Sequence, residues 1–192
     1  LVHDFMDEIT KCFGFNDSSI RTAVLKFANV ALNYGAINPP DIIHYIISML
    51  CSKDQSGLAL ETLKNVIYSY SSFLNSRMKD GIKEAFNFVM AINGPDFTSL
   101  PSDDFAFHIG DLLTILPPPQ KSLYLSAFTD ILKDAISAKP DPLLINWIIR
   151  SMCSFPFAYV WEPATIINNL NNSVLDAYVN SAYSDAKKII HS

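Results

Sequence analysis

Apolar residues recur three and four positions apart through most of the chain, and strand-like alternation is scarce. In "NDSSIRTAVLKFANVALNYG" the residues Ile20, Ala23, Val24, Phe27, Ala31 and Tyr34 fall on helical spacing. Asp17 or Ser18 stands ahead of them as an N-cap, whose side-chain oxygen satisfies an otherwise unpaired first-turn amide. Gly35 supplies a left-handed stop that other residues adopt only at a cost. Asn38 precedes proline and is pushed out of the helical region, while Pro40 fits the first turn of a new helix. Ile42, Ile43, Ile46, Ile47 and Leu50 carry that helix on. The pattern predicts two antiparallel helices joined by about five residues.

The same device repeats. Asp54 is placed to cap "SGLALETLKNVIYSYSSFL", with Leu60, Leu63, Ile67, Tyr70 and Leu74 on one face. A return helix follows in "SRMKDGIKEAFNFVMAI", carried by Met78, Ile82, Ala85, Phe86 and Val89. "NGPDFTSLPSDD" then interrupts the pattern with glycine, prolines and acids. It divides the chain into first hairpins over 1–93, an acidic connector over 94–104 and a second set of hairpins over 105–192. In the second set, "FAFHIGDLLTIL" runs into three prolines, "SLYLSAFTDILKDAI" stops near Lys139-Pro140, and "PLLINWIIRSM" stops before Pro156. A last helix is expected from Pro163, bending or restarting around Asn171, Asn172 and Ser173. The opening "LVHDFMDEITKCF" begins inside a helical pattern, as a piece of a longer protein would.

Hairpins starting near positions 17, 54, 102 and 141 lie 37, 48 and 39 residues apart. Stacked helical repeats of the HEAT and armadillo type have periods of about 40 to 47 residues. "DSSIRTAVLKFANVAL" also resembles a HEAT second helix, with an acid, an apolar-Arg pair and an alanine-bearing apolar face. The expected fold class is therefore all-α, as stacked antiparallel helix hairpins forming a HEAT-like α-solenoid. An irregular all-helical bundle built from the same hairpins is the alternative.

Composition narrows the function. The 192 residues are 49% hydrophobic and 17% charged, far from a disordered chain. Net charge is −5, and neither half is basic, unlike a dedicated nucleic-acid-binding domain. No uninterrupted apolar run reaches the roughly 18 residues of a membrane span, and no signal-peptide pattern opens the chain. Cys12, Cys51 and Cys153 are odd in number and widely spaced, so they read as buried thiols of an intracellular protein, not as a disulfide framework or zinc site. Phosphate-cradling glycine loops and nucleophile elbows are missing from the sequence. The expectation is a protein that is not an enzyme, with no cofactor, no metal and no small-molecule ligand.

A few residues keep a candidate role. Arg77, Lys79 and Lys83 lie within two helical turns, and 79 and 83 share a face, so two ammonium groups could meet phosphates or acidic side chains. Asp80 and Glu84 could instead neutralise them. Trp147 and Trp161 read as packing anchors, with Trp161 in "FAYVWEP" also a candidate partner contact. Tyr68, Tyr70 and Phe73 read as core. His108 has Asp104 and Asp111 nearby, which fits a solvated helix face better than a metal site, and His44 reads as a partly buried structural histidine. His3 and His191 lie near the ends, and Lys187 and Lys188 suit a helix C-terminus.

"LNYGAINPPDIIHYIISML" and "FLNSRMKDGIKEAF" resemble the C-terminal HEAT region of the cohesin loader, the Nipped-B or adherin family. The matching positions are Gly35, Asn38, Pro39, Tyr45 and Ile46, then Phe73, Leu74, Arg77, Gly81, Lys83, Ala85 and Phe86. The resemblance continues through "HIGDLLTILPPPQKSLYLSAFTDIL" to "MCSFPFAYVWEPATIINNL". His44 departs from it, standing where the family more often has proline, and no match extends over Asp96 to Asp104. The resemblance implies a nuclear, chromatin-associated, non-enzymatic scaffold. Its partners would be the cohesin SMC ATPase heads and the kleisin subunit. DNA would be gripped in the full complex and bound weakly by this fragment alone. Such a scaffold stimulates the cohesin ATPase and promotes loading for sister chromatid cohesion. A HEAT-type adaptor of a transport or assembly pathway is the alternative.

Overall fold

A computed structural model describes residues 5–137 and 140–172. Those residues are helical almost throughout, without a strand, and stack as antiparallel hairpins: the architecture is all-α and solenoid-like. The α-helices are α1 (Met6–Lys11), α2 (Ser18–Asn33), α3 (Ile43–Ser48), α4 (Ser56–Asn93), α5 (Pro118–Ser137), α6 (Pro142–Cys153) and α7 (161–172). Short 3₁₀ turns flank α3 at Pro39–Asp41 and Met49–Cys51.

The α2–α3 corner forms as its residues dictate. Asp17 caps α2, its carboxylate accepting from the Ser19 amide at 2.8 Å. At the other end Gly35 takes φ +64°. That turn lets the Gly35 amide donate to Leu32 and the Ala36 amide to Ala31, satisfying two carbonyls the helix leaves open. Asn38 is extended before the prolines, and Ile42, Ile43, Ile46 and Ile47 are wholly buried beyond them. On α2, however, the buried apolar residues are Val24, Leu25, Ala28, Ala31 and Leu32. Ile20, Phe27 and Tyr34 of the expected stripe face outward.

The second hairpin exists, but its reversal sits at Tyr70 and not near Asn75. Tyr70 leaves helical geometry (φ −139°, ψ 35°). Lys53 and Asp54, ahead of α4, line the same cleft as Ile92 and Asn93 at its end, so the two arms run back on each other. Serines 69, 71 and 72 surround the bend, and serine favours the helix less than alanine or leucine. The corner projects into solvent, which corrects the expectation that Tyr68 and Phe73 are core: Tyr68 is 93% exposed and Phe73 is exposed beside it. Asp54 does not cap α4; it accepts from the Ser18 hydroxyl at 2.6 Å, and Gln55 holds the cap position. Gln55 is completely buried. Its carbonyl accepts from Arg21 Nε at 3.2 Å and from Ser52, and its amide donates to Thr22 at 2.8 Å and to the Ser18 carbonyl at 3.0 Å. The Arg21 guanidinium also lies 5.7 Å from the Phe88 ring centre, so one buried node ties α2 to both arms of α4.

"FAFHIGDLLT" is a ten-residue 3₁₀ helix, Phe105–Thr114, where an α-helix was expected. Its side chains explain this. In a three-residue turn the chain forms three rows, and Ala106-Ile109-Leu112 and Phe107-Gly110-Leu113 are both buried. Phe105, His108, Asp111 and Thr114 make the outer row. The 94–104 connector is packed: Phe97 is fully buried, and Arg150 of α6 donates to the carbonyls of Phe97, Thr98 and Leu100. Rings then run on continuously. Phe86 meets Phe97 and Trp147, Trp147 meets Phe128, and Phe128 meets Phe155 at 4.9 Å. Trp147 is the buried anchor its sequence setting predicts, with Nε1 donating to Ala106 at 2.8 Å. Cys51 is buried, Cys12 is partly so, and Cys153, against expectation, is exposed. Residues 173–192, with Lys187, Lys188, His191 and the expected bend at Ser173, lie outside the described residues, as does His3.

Gly81 sits where α4 packs tightly against α3. A Cβ there would meet three Ile47 side-chain atoms at 2.6 to 2.9 Å, and Ile47 is fully buried. Gly57 opens onto free space. Gly81→Ala should destabilise the fold by about 1–2 kcal/mol even after its helix-propensity gain. Gly57→Ala should add about 0.5 kcal/mol. Urea unfolding followed by circular dichroism measures both, and equal effects would contradict this packing.

Candidate functional site

The basic residues do not form one patch. Lys79 and Lys83 stand one turn apart on the second arm of α4, both exposed. Lys79 Nζ reaches Asp130 of α5 at 2.6 Å, a half-exposed pair linking two helices. Lys83 has no acidic partner among the described residues and is the more available cation. Arg77 points elsewhere, since two residues turn a helix by about 200°. It pairs with Asp80 at 2.9 Å and lines an open cleft of about 450 Å³ with Asp7, Asp41 and His44. Exposed pairs of this kind add little to stability. Their consequence is local charge: Arg77 is offset by acids, whereas Lys83 is not.

His44 is half-buried, as expected, with its ring 4.1 Å from that of Tyr45. Burial lowers its pKa, partly opposed by the charge of Glu84, so the imidazole is neutral near pH 7. His108 Nδ1 lies 3.6 Å from Asp111, while Asp104 is used up as the N-cap of the 3₁₀ helix, bonding the Ala106 amide. Burial raises the Asp111 pKa, partly offset by the His108 charge. Among the described residues no three His, Cys, Asp or Glu side chains gather as a metal site, and none of their helices is long and apolar enough to cross a membrane.

Trp161 begins α7 at the end of a short loop, 36% exposed, with its ring stacked near-parallel to that of Tyr159. Beneath them lies a pair that sequence reasoning missed. Glu162 is fully buried and takes Lys121 of α5 at 2.7 Å. Its second oxygen accepts from the amides of Ala158 at 2.7 Å and Tyr159 at 3.2 Å. Burial alone would raise the Glu162 pKa. The Lys121 hydrogen bond, the two amides and the Lys121 charge outweigh it, so the carboxyl is held below its ordinary range. The available signal was a charged residue at each of two otherwise apolar positions, beside Pro117–Pro119 and Pro163.

A family model described as sister chromatid cohesion C-terminus, of the Nipped-B proteins, matches residues 1–173. The chain belongs to this family. It is 22% identical over 189 residues to the Nipped-B protein of Drosophila melanogaster, covering 89% of this chain and 9% of that protein. It is 21% identical to the Nipped-B-like protein of Homo sapiens and 20% identical to Nipped-B-like protein B of Danio rerio. Each match covers 96% of this chain and 7% of the relative. The chain thus spans less than a tenth of the length of these relatives.

The residues that carry the Nipped-B resemblance mostly hold the scaffold together. Gly35 closes α2, Gly81 admits Ile47, Phe86 joins the ring contacts, and Glu162 of the Glu-Pro pair fixes the loop before α7. Lys83 and Trp161 remain at the surface. Glu162→Gln should leave Lys121 buried without its anion and cost about 3 kcal/mol at neutral pH. Because the folded-state pKa is depressed, the stabilisation is complete above the unfolded value of about 4.3 and fades as pH falls through the folded one. Thermal melts of both proteins from pH 7 to pH 3 should therefore show the gap narrowing toward the acid end; a constant gap would contradict the assignment.

Proposed function

We propose that the chain is a scaffold segment of a cohesin-loading factor, acting in the nucleus on chromatin. It binds cohesin's SMC ATPase heads and kleisin and takes part in holding DNA against them. ATP hydrolysis belongs to cohesin, and this segment stimulates it by docking, without catalysis of its own. Membership of the Nipped-B C-terminal family over residues 1–173 carries this reading. The structure supports it by offering a continuous helical stack with surface charge at Lys79 and Lys83 and an exposed aromatic corner at Trp161. The net charge of −5 argues that DNA contact is an auxiliary interaction, made tight only within the complex.

The purified chain should retain cohesin heads or kleisin in a pull-down. No retention, with a full-length loader binding in the same assay, would overturn the proposal. DNA titrations should give weak binding that falls steeply with salt; tight, salt-insensitive binding would contradict it. Lys83→Glu in the complete loader should reduce loading and ATPase stimulation with helicity unchanged, because Lys83 is exposed and bonds no acid among the described residues. Arg77→Glu, on a different face and beside Asp80, should have the smaller effect on loading. Loading of cohesin onto immobilised DNA measures the difference, and equal activity of Lys83→Glu and wild type would remove Lys83 from the contact.

A further inference from the structure

The loop before α7 presents two aromatic rings on a fixed base. Tyr159 and Trp161 have ring planes 14° apart and centroids 6.2 Å apart. The Lys121 ammonium lies 5.2 Å from the Tyr159 ring centre and is itself held by buried Glu162. Glu162 also ties down the Ala158 and Tyr159 amides, so one ion pair holds both a ring and the backbone that carries it. Val160, between the two in sequence, is 89% exposed. The Trp161 indole N–H and the Tyr159 hydroxyl bond no group among the described residues, and both side chains are at least one-third exposed.

Resting on the reading of Trp161 as a partner contact, we infer that this platform binds an extended, proline-bearing peptide segment. A polyproline II strand forms no internal hydrogen bonds, so its carbonyls need donors, and flat proline rings pack well on aromatic faces. Such a strand is already ordered when free and loses little entropy on docking. The platform supplies near-parallel rings, two unspent donors and no net charge, because residues 155–161 carry no acid or base other than the Tyr159 phenol. Single-stranded nucleic acid also stacks on aromatic rings, but it needs a cationic groove. Among the described residues the ammonium that lies over a platform ring, Lys121, is buried and committed to Glu162. Peptide is therefore the favoured occupant.

The chain's two tryptophans provide the readout. Trp147 is fully buried with its indole N–H bonded to Ala106, so its resonance serves as an internal control. The full 192-residue chain, ¹⁵N-labelled, is titrated separately with decaproline, oligothymidine and an alanine-rich helical peptide. Decaproline should shift the Trp161 indole resonance saturably while that of Trp147 stays in place. Trp161→Phe, which keeps a ring and loses the donor, should weaken binding of labelled decaproline roughly fivefold. Trp161→Ala should abolish it with the Trp147 resonance unmoved. An unresponsive Trp161 under decaproline overturns the inference. So does a response to oligothymidine or to the helical peptide that equals or exceeds the decaproline response. The titration contains no cohesin, so a positive result beside failed cohesin retention would sink the loader reading and leave this one standing.

Discussion

A continuous seam of aromatic rings branches from Phe86, one arm through Phe97 to Phe107 and the other through Trp147 and Phe128 to Phe155. Helices α4, α5 and α6, the connector and the 3₁₀ helix all contribute to it or seal it. Each large ring removed from water supplies about 1.5–3 kcal/mol, more than any exposed ion pair on the surface. The seam also crosses the acidic stretch where the hydrophobic pattern breaks. With Phe97 inside and Arg150 gripping the carbonyls of Phe97, Thr98 and Leu100, the stretch is held against α6. The hairpins before and after it therefore share one core, and surface groups on α4 and α7 keep a fixed relation.

Two buried polar nodes refine that arrangement. Arg21 and Gln55 stitch α2 to both arms of α4, and Lys121 with Glu162 stitches α5 to the loop before α7. Burying such groups costs free energy unless their hydrogen bonds are replaced, and here amides, hydroxyls and carbonyls replace them. Their effect is geometric. The first node sets where α4 starts against α2. The second presents Tyr159 and Trp161 at the surface on a backbone that cannot swing freely. A scaffold that works by docking depends on this kind of fixed presentation, because ordering a loose loop on binding would weaken association.

Much of the fold could be read directly. Asp17, Gly35 and the Asn-Pro-Pro corner each act through their own backbone chemistry, so α2 stops and the next helix starts where the sequence placed them. The second reversal was five residues out because no glycine or proline marks Tyr70, and the serines around it are only weak helix formers, not stops. The 3₁₀ helix was legible in principle. Its apolar residues repeat every three positions, and reading them with a period of 3.6 hid that. The exposed residues of α2 were not legible, since Ile20, Phe27 and Tyr34 differ from Leu25 and Leu32 only in which neighbour happens to lie opposite. Of the candidate surface residues, Lys79 and Lys83 share a face as their spacing requires, while Arg77 shares none with them and meets Asp80.

Local chemistry, acting within a turn or two of helix, was determined by the sequence by itself: caps, stops, amphipathic helices and the all-α class. The family kinship is of the same kind, because it rests on the order of those stops and starts along the chain. Tertiary structure decided the rest. It alone brought Glu162 to Lys121 across 41 residues, Arg21 to Gln55 across 34, and Trp147 to the Ala106 carbonyl. Burial and pairing of those groups depend on distances between helices, and those distances follow from the volumes of every side chain packed between them.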